Sequence, residues 1–299
     1  MNKKIYIEII FLISLGALTS LSLPPFNYLI INFFTFSLFF IFLIKKKESN
    51  KNKKVFLFYG WLFGFGYFVS NLYWISISLT FDTSFRFLIP FSIILIPGFL
   101  ALFYGLISYI FGILKSKNNL NSFFIFSLIF GIIEFLRGFV LSGFPWNLIA
   151  YSFSENLEIL QILSFIGTYS FNILCISFFT SPAIFIIRES RKELLICIFF
   201  LISPIILYSV GSYKIKSFEA SEIIKNDFKI RAIGSKIDLN RFYGNTDTAS
   251  VISELINISD PDLNTQTIFL WPEGIIPNIN QSEIKDYEFL FNEKFGENH

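Results

Sequence analysis

The chain has 299 residues, 54% of them hydrophobic and only 15% charged, with a mean hydropathy of +0.61. A soluble globular protein carries about 25% charged residues, so this composition excludes an ordinary soluble domain and marks an integral membrane protein. The net charge of +2 comes without a basic patch interleaved with aromatics, which argues against a nucleic-acid partner.

In chain order, Met1-Asn2-Lys3-Lys4 is a basic start, and Ile5–Leu23 reads as a first span that is retained, since no small-x-small cleavage site follows. Pro24-Pro25 makes a turn, and Phe26–Ile44 spans again. Six lysines crowd residues 45–54. Further spans are expected over Val55–Leu79, Ile89–Leu114, Phe123–Leu141, Ile159–Ile187 and Leu194–Val210. Each is close to the roughly 20 residues that cross a bilayer core. With seven spans, Lys3, Lys4, the lysines of 45–54, Lys115, Lys117, Arg188, Arg191 and Lys192 all fall on one side. The short loops of the other side hold only Arg86. That asymmetry places the N-terminus in the cytoplasm and everything after Val210 outside.

Several polar features interrupt the apolar runs. Glu134 and Arg137 stand three residues apart, so they share a helix face and can pair. They are either a functional site or a pair that fixes helices. Gly143-Phe144-Pro145-Trp146-Asn147 is an aromatic re-entry at the interface or a plain tryptophan anchor. Ser70-Asn71-Leu72-Tyr73-Trp74, Gln161 and Gly167-Thr168-Tyr169-Ser170 carry the same pair of readings, site or helix interface. Cys175 and Cys197 sit in apolar runs as buried thiols, the only histidine is His299, and no metal cluster or cofactor motif is visible. The expectation is of no metal and no cofactor.

From Lys214 the long apolar runs stop, which divides the chain into a membrane domain over 1–213 and an outer domain over 214–299. Phe228–Ile233 reads as a strand, Asp247–Ile258 as a helix capped by Thr246 or Asp247, and Thr267–Trp271 as a second, buried strand. The order β–α–β opens an α/β layered domain, expected to be incomplete as written. Trp271-Pro272-Glu273-Gly274 ends the second strand. A carboxylate partly shielded there would have a raised pKa and could act as a base. The plainer alternative is a strand cap with a solvated Glu273.

Leu23-Pro24-Pro25-Phe26, Gly66-Tyr67 leading to Tyr73-Trp74, the Gly143–Asn147 segment with Gly167-Thr168-Tyr169 after it, and Trp271-Pro272-Glu273 occur in this order. Together they resemble the apolipoprotein N-acyltransferase family, which joins a bacterial inner-membrane bundle to a periplasmic nitrilase-like (carbon-nitrogen hydrolase) domain. The resemblance implies acyl transfer from a phospholipid donor to the N-terminal amine of a diacylglyceryl apolipoprotein, through a cysteine thioester and without a cofactor. It assigns Glu273 as general base of a Glu-Lys-Cys triad. It also suggests Trp146, Asn147 and Trp271 as substrate-binding residues, with Phe242 standing where the family commonly carries a substrate-facing tryptophan.

The Lys and Cys of the triad are expected beyond residue 299. Lys285 and Lys294 lie too near Glu273 and in polar loops, and Cys175 and Cys197 lie within the membrane. This chain by itself is therefore expected to lack acyltransferase activity. The alternatives are a non-catalytic membrane protein that binds lipid or lipoprotein, and a transporter. The second is disfavoured because no broken-helix repeat accompanies the single charged pair.

Overall fold

The computed structural model describes residues 3–46, 53–221, 228–234, 247–276, 279–280 and 282–296. The chain divides into two compact units, residues 1–220 and 221–299.

The first unit is helical throughout. Its elements are α1 (Lys3–Ser20), α2 (Ile30–Lys46), α3 (Lys54–Leu72), α4 (Ile75–Ser78), α5 (Ile89–Leu114), α6 (Asn119–Arg137), α7 (Leu157–Leu160), α8 (Leu163–Ile187) and α9 (Arg191–Glu219). Among the described residues, five segments are long and apolar enough to cross a membrane: α3, α5 with the 3-10 turn Thr83–Leu88 ahead of it, α6, α8 and α9. The helix α1 carries Lys3, Lys4 and Glu8 in its first turns, and α2 is 17 residues long.

Local chemistry explains where helix ends depart from the expected spans. The third span was expected to run to Leu79, but α3 stops at Leu72. The hydroxyls of Ser76, Ser78 and Thr80 donate to the carbonyls of Tyr73, Ile75 and Ile77, a local bonding that competes with regular helix. The helix α6 stops at Arg137 rather than Leu141. Leu141 and Gly143 adopt left-handed φ values of 61° and 75°, and the Phe144 N–H turns back to the Arg137 carbonyl at 2.9 Å. In the expected sixth span the chain forms α7, a turn, and α8, which is broken at Gly167 (φ 72°). The last helix begins with a reciprocal cap, in which the Ser190 hydroxyl accepts from the Glu193 N–H and the Glu193 carboxylate accepts from the Ser190 N–H. It then runs to Glu219, past the composition change at Lys214.

The helix contacts include α3 against α5 and α1, α2 and α6 against α8, α5 against α6, and α8 against α9. Lipid tails are as apolar as these side chains, so close packing rather than water exclusion must hold them. Two glycines show how close the backbones come. A Cβ on Gly16 would lie 1.9 Å from the Phe63 carbonyl oxygen, and one on Gly60 would lie 2.2 Å from the Tyr104 carbonyl oxygen. Between the helices sits an aromatic core. Phe39 and Phe63 stack at 4.1 Å, Phe40 meets Phe111 and Phe126 at 5.8 and 5.3 Å, and Tyr104 meets Phe130 edge-on at 5.0 Å. Tilted and edge-to-face pairs of this kind are favoured by the ring quadrupole.

In the second unit, β1 (Lys229–Ala232) pairs in parallel with β2 (Thr267–Leu270), with Ile230 opposite Ile268 and Arg231 opposite Phe269. The connection runs through α10 (Thr248–Ser259) and makes the expected β–α–β unit. Asp247 caps α10 by accepting from the N–H groups of Ala249 and Ser250. Val251, Ile252, Leu255 and Ile256 form the buried stripe of α10. Arg231 donates to the carbonyls of Ser259 and Asp260, both at 2.7 Å, tying β1 to the end of α10. Asp262 accepts from the Asn264 N–H and the Thr265 hydroxyl in the turn entering β2, and these bonds hold its carboxyl below the ordinary carboxylate value. A short helix, α11 (Glu288–Asn292), follows β2. The second strand is less buried than expected. Thr267 is buried, but Ile268 and Leu270 are exposed on the opposite face together with Ile230. One helix covers one face of a sheet, and the other face stays open among the described residues.

Replacing Gly60 with Val inserts a branched side chain where the backbone of α5 already sits. Overpacking of this kind costs about 1–3 kcal/mol or more. We expect a lower unfolding temperature for the purified protein in detergent, while Gly98→Ala, where the nearest side-chain atom is 3.9 Å away, stays close to the parent.

Candidate functional site

The expected site residues fall in both units, and each unit is described by itself. In the second, β2 runs directly into Trp271-Pro272. Pro272 has no N–H, so it cannot continue the ladder. Glu273 and Gly274 make the turn, with Gly274 at φ 65°. The Glu273 side chain is exposed, and among the described residues it has no hydrogen bond or ion pair. Of the two readings of this turn, the solvated carboxylate is the one observed, and the Trp271 ring is drawn the other way. The indole N–H donates to the Ser259 hydroxyl at 2.9 Å, and the ring stacks on Phe291 with centroids 5.7 Å apart. Trp271 thus anchors the turn to α10 and α11. Lys285 and Lys294 are exposed. Phe242 lies outside the described residues.

In the first unit the polar chemistry gathers at the end of α6. Glu134 and Arg137 are both fully buried, at 0% and 1% exposure. They pair as expected, Arg137 Nε donating to Oε1 at 3.2 Å and Nη2 donating to Oε2. Its remaining nitrogen, Nη1, donates to the carbonyls of Phe144 at 2.6 Å and Trp146 at 2.9 Å. The Tyr67 hydroxyl of α3 donates to the Asn147 carbonyl at 2.8 Å. The Asn172 amide oxygen of α8 accepts from the Ala150 N–H at 2.9 Å. Three helices therefore fix one segment through its backbone. Asn147 itself adopts φ 59°, and its side-chain oxygen is buried without a protein partner among the described residues.

The side chains of that segment point into a cluster of rings. Trp146 is 53% exposed and lies 5.6 Å from the Trp74 ring and 5.4 Å from Phe144. Beside them a groove of about 310 Å³ is lined by Leu95, Phe99, Phe103, Leu141 and Phe144, with Arg137 at its polar edge. Cys175 and Cys197 are buried free thiols, and no cluster of metal-ligating residues occurs among the described residues. Sequence reasoning paired Glu134 with Arg137 but missed where the guanidinium's other donors go. It also missed Asn172, whose signal was a lone amide inside an apolar run.

A helical bundle with a buried ion pair at one end, continued by an α/β unit, defines a membrane protein of composite build. A family model described as Apolipoprotein N-acyltransferase N-terminal domain matches residues 15–180, more than half of the chain. Curated relatives named apolipoprotein N-acyltransferase include those of Agrobacterium fabrum, Rhodopseudomonas palustris and Brucella melitensis. They are 29%, 30% and 27% identical over 89%, 88% and 89% of this chain, and the matches cover 51%, 50% and 52% of those proteins. The chain belongs to the apolipoprotein N-acyltransferase family, and it spans about half the length of the curated relatives it matches.

Removing only the guanidinium, as in Arg137→Ala, leaves the Glu134 carboxylate buried without its partner. Breaking a buried pair from one side costs roughly 3–5 kcal/mol. The expected result is a large loss of thermal stability in detergent, against a smaller loss when both charges are removed together.

Proposed function

We propose that the chain is the membrane bundle and opening catalytic segment of an apolipoprotein N-acyltransferase of the bacterial inner membrane. The observation that carries this reading is the family match over residues 15–180, joined to a Trp-Pro-Glu sequence at the end of a parallel strand. In this reading α1 and α2 join the five longer helices to make seven spans. The lysine-rich segments face the cytoplasm, and residues 214–299 begin a periplasmic nitrilase-like domain.

Glu273 is the general base. Its carboxylate takes the proton of a cysteine thiol, and the thiolate attacks the ester carbonyl of a phospholipid. The carbon–oxygen bond breaks, the lysophospholipid leaves with a proton returned by Glu273, and the acyl group remains as a thioester. The amino group of a diacylglyceryl-cysteine at an apolipoprotein N-terminus then attacks the thioester carbonyl, and the thiol departs. A lysine stabilises the oxyanion in both halves. Neither that lysine nor that thiol is assigned to a residue of this chain. Phe242, Trp146, Asn147 and Trp271 are the proposed substrate-side residues. The exposure of Glu273 allows it to meet other groups, because no bond within its own unit has to be broken first.

Glu273→Gln in the full-length gene product tests the base. The amide cannot accept the thiol proton, so the acyl-enzyme yield should fall at least about 100-fold, read by mass spectrometry of the thioester, while membrane insertion is unchanged. Normal yield would remove Glu273 from the base role and leave lipid or lipoprotein binding as the reading to pursue.

A further inference from the structure

The Glu134–Arg137 pair lies inside α6, yet half of the guanidinium's bonding is directed beyond the helix. A buried guanidinium needs acceptors for the donors that Glu134 leaves over, and here those acceptors are the carbonyls of a single loop. Arginine presents five N–H donors in a rigid fork. Here Glu134 takes Nε and Nη2, which leaves Nη1 to bond the carbonyls of Phe144 and Trp146 together. Tyr67 takes the next carbonyl, that of Asn147. Three of four successive carbonyls between Phe144 and Asn147 are therefore engaged by side chains of α6 and α3. The left-handed Gly143 and Asn147 bracket the stretch.

A segment bonded this way along its backbone has its side chains directed by the same bonds. The Phe144 ring forms a wall of the apolar groove, and Trp146 stays half exposed beside Trp74. We propose that Arg137, oriented by Glu134 and assisted by Tyr67, is a positioning residue. It holds Trp146 and Phe144 as a fixed aromatic platform at the rim of the groove, where a lipid acyl chain lies against them. The proposal rests on the reading of Trp146 and Asn147 as substrate-facing residues. The Glu134 carboxylate sets the rotation of the guanidinium plane, so both members of the pair are needed for the platform although neither touches the substrate.

The test uses the whole chain in lipid vesicles, with Trp61, Trp74 and Trp271 changed to Phe so that Trp146 alone fluoresces. Glu134→Gln with Arg137→Met removes the fork without leaving a buried unpaired charge. Tyr67→Phe removes a single hydroxyl. The readouts are Trp146 emission, its quenching by phospholipids brominated along the acyl chains, and chymotrypsin cleavage after Trp146. Circular dichroism monitors the helices. The expected result for the double variant is a shifted emission, altered quenching and cleavage faster by at least about tenfold, since the segment opens locally, with helix content retained. Tyr67→Phe should move each signal in the same direction by less. Arg137→Lys, which keeps the charge but not the fork, should fall between.

Unchanged emission, quenching and cleavage in an inserted, helical double variant would overturn the proposal and make the pair a packing device. If the double variant fails to insert, Tyr67→Phe decides, and unchanged signals there overturn it as well. None of these signals requires acyl transfer, so a failed base role for Glu273 and a failed platform are separate results.

Discussion

The bonding of one guanidinium sets one end of the helical unit. Burying a charge in an apolar environment is costly unless every donor is met, and Arg137 meets its requirement partly with Glu134 and partly with the loop beyond Gly138. The same demand therefore closes a helix, turns the chain back across its end and leaves two aromatic rings facing outward. The rest of the unit supplies the conditions for that arrangement. The helix α3, held in backbone contact with α1 and α5 at Gly16 and Gly60, contributes Tyr67, and α8 contributes Asn172.

Much of this was legible in the sequence, though unevenly. Apolar length marked five of the expected spans that are long and apolar enough to cross a membrane among the described residues, and the fourth, Ile89–Leu114, has the expected limits. Spacing on a helix face placed Glu134 beside Arg137. Span ends were harder to read, because they depend on single bonds. Hydroxyl-to-carbonyl bonds follow the end of α3, left-handed residues follow the end of α6, and a serine–glutamate cap starts α9 three residues before its apolar run. The sequence shows 42 phenylalanines without a pattern, and the structure makes many of them the core. Which ring meets which depends on helix register, which a single sequence does not display.

In the second unit the strand–helix–strand order followed from alternation and capping, and it is the order observed. At the turn after β2 the sequence left two readings open, a shielded carboxylate and a solvated one, and the solvated one is observed. An apolar strand ending in Trp-Pro suggested a shielded carboxylate, but the tryptophan packs against α10 and α11 and so turns away from Glu273. Shielding depends on where a side chain points, and sequence adjacency alone does not say.

Ser259 has a consequence of its own. Its hydroxyl accepts from the Trp271 indole and donates to the Leu255 carbonyl, while its own carbonyl accepts from Arg231. One small residue at the end of the crossover helix is thus the common hinge-pin of both strands and of the turn that carries Glu273. Any force that displaces the last turn of α10 reaches the carboxylate without passing through the sheet.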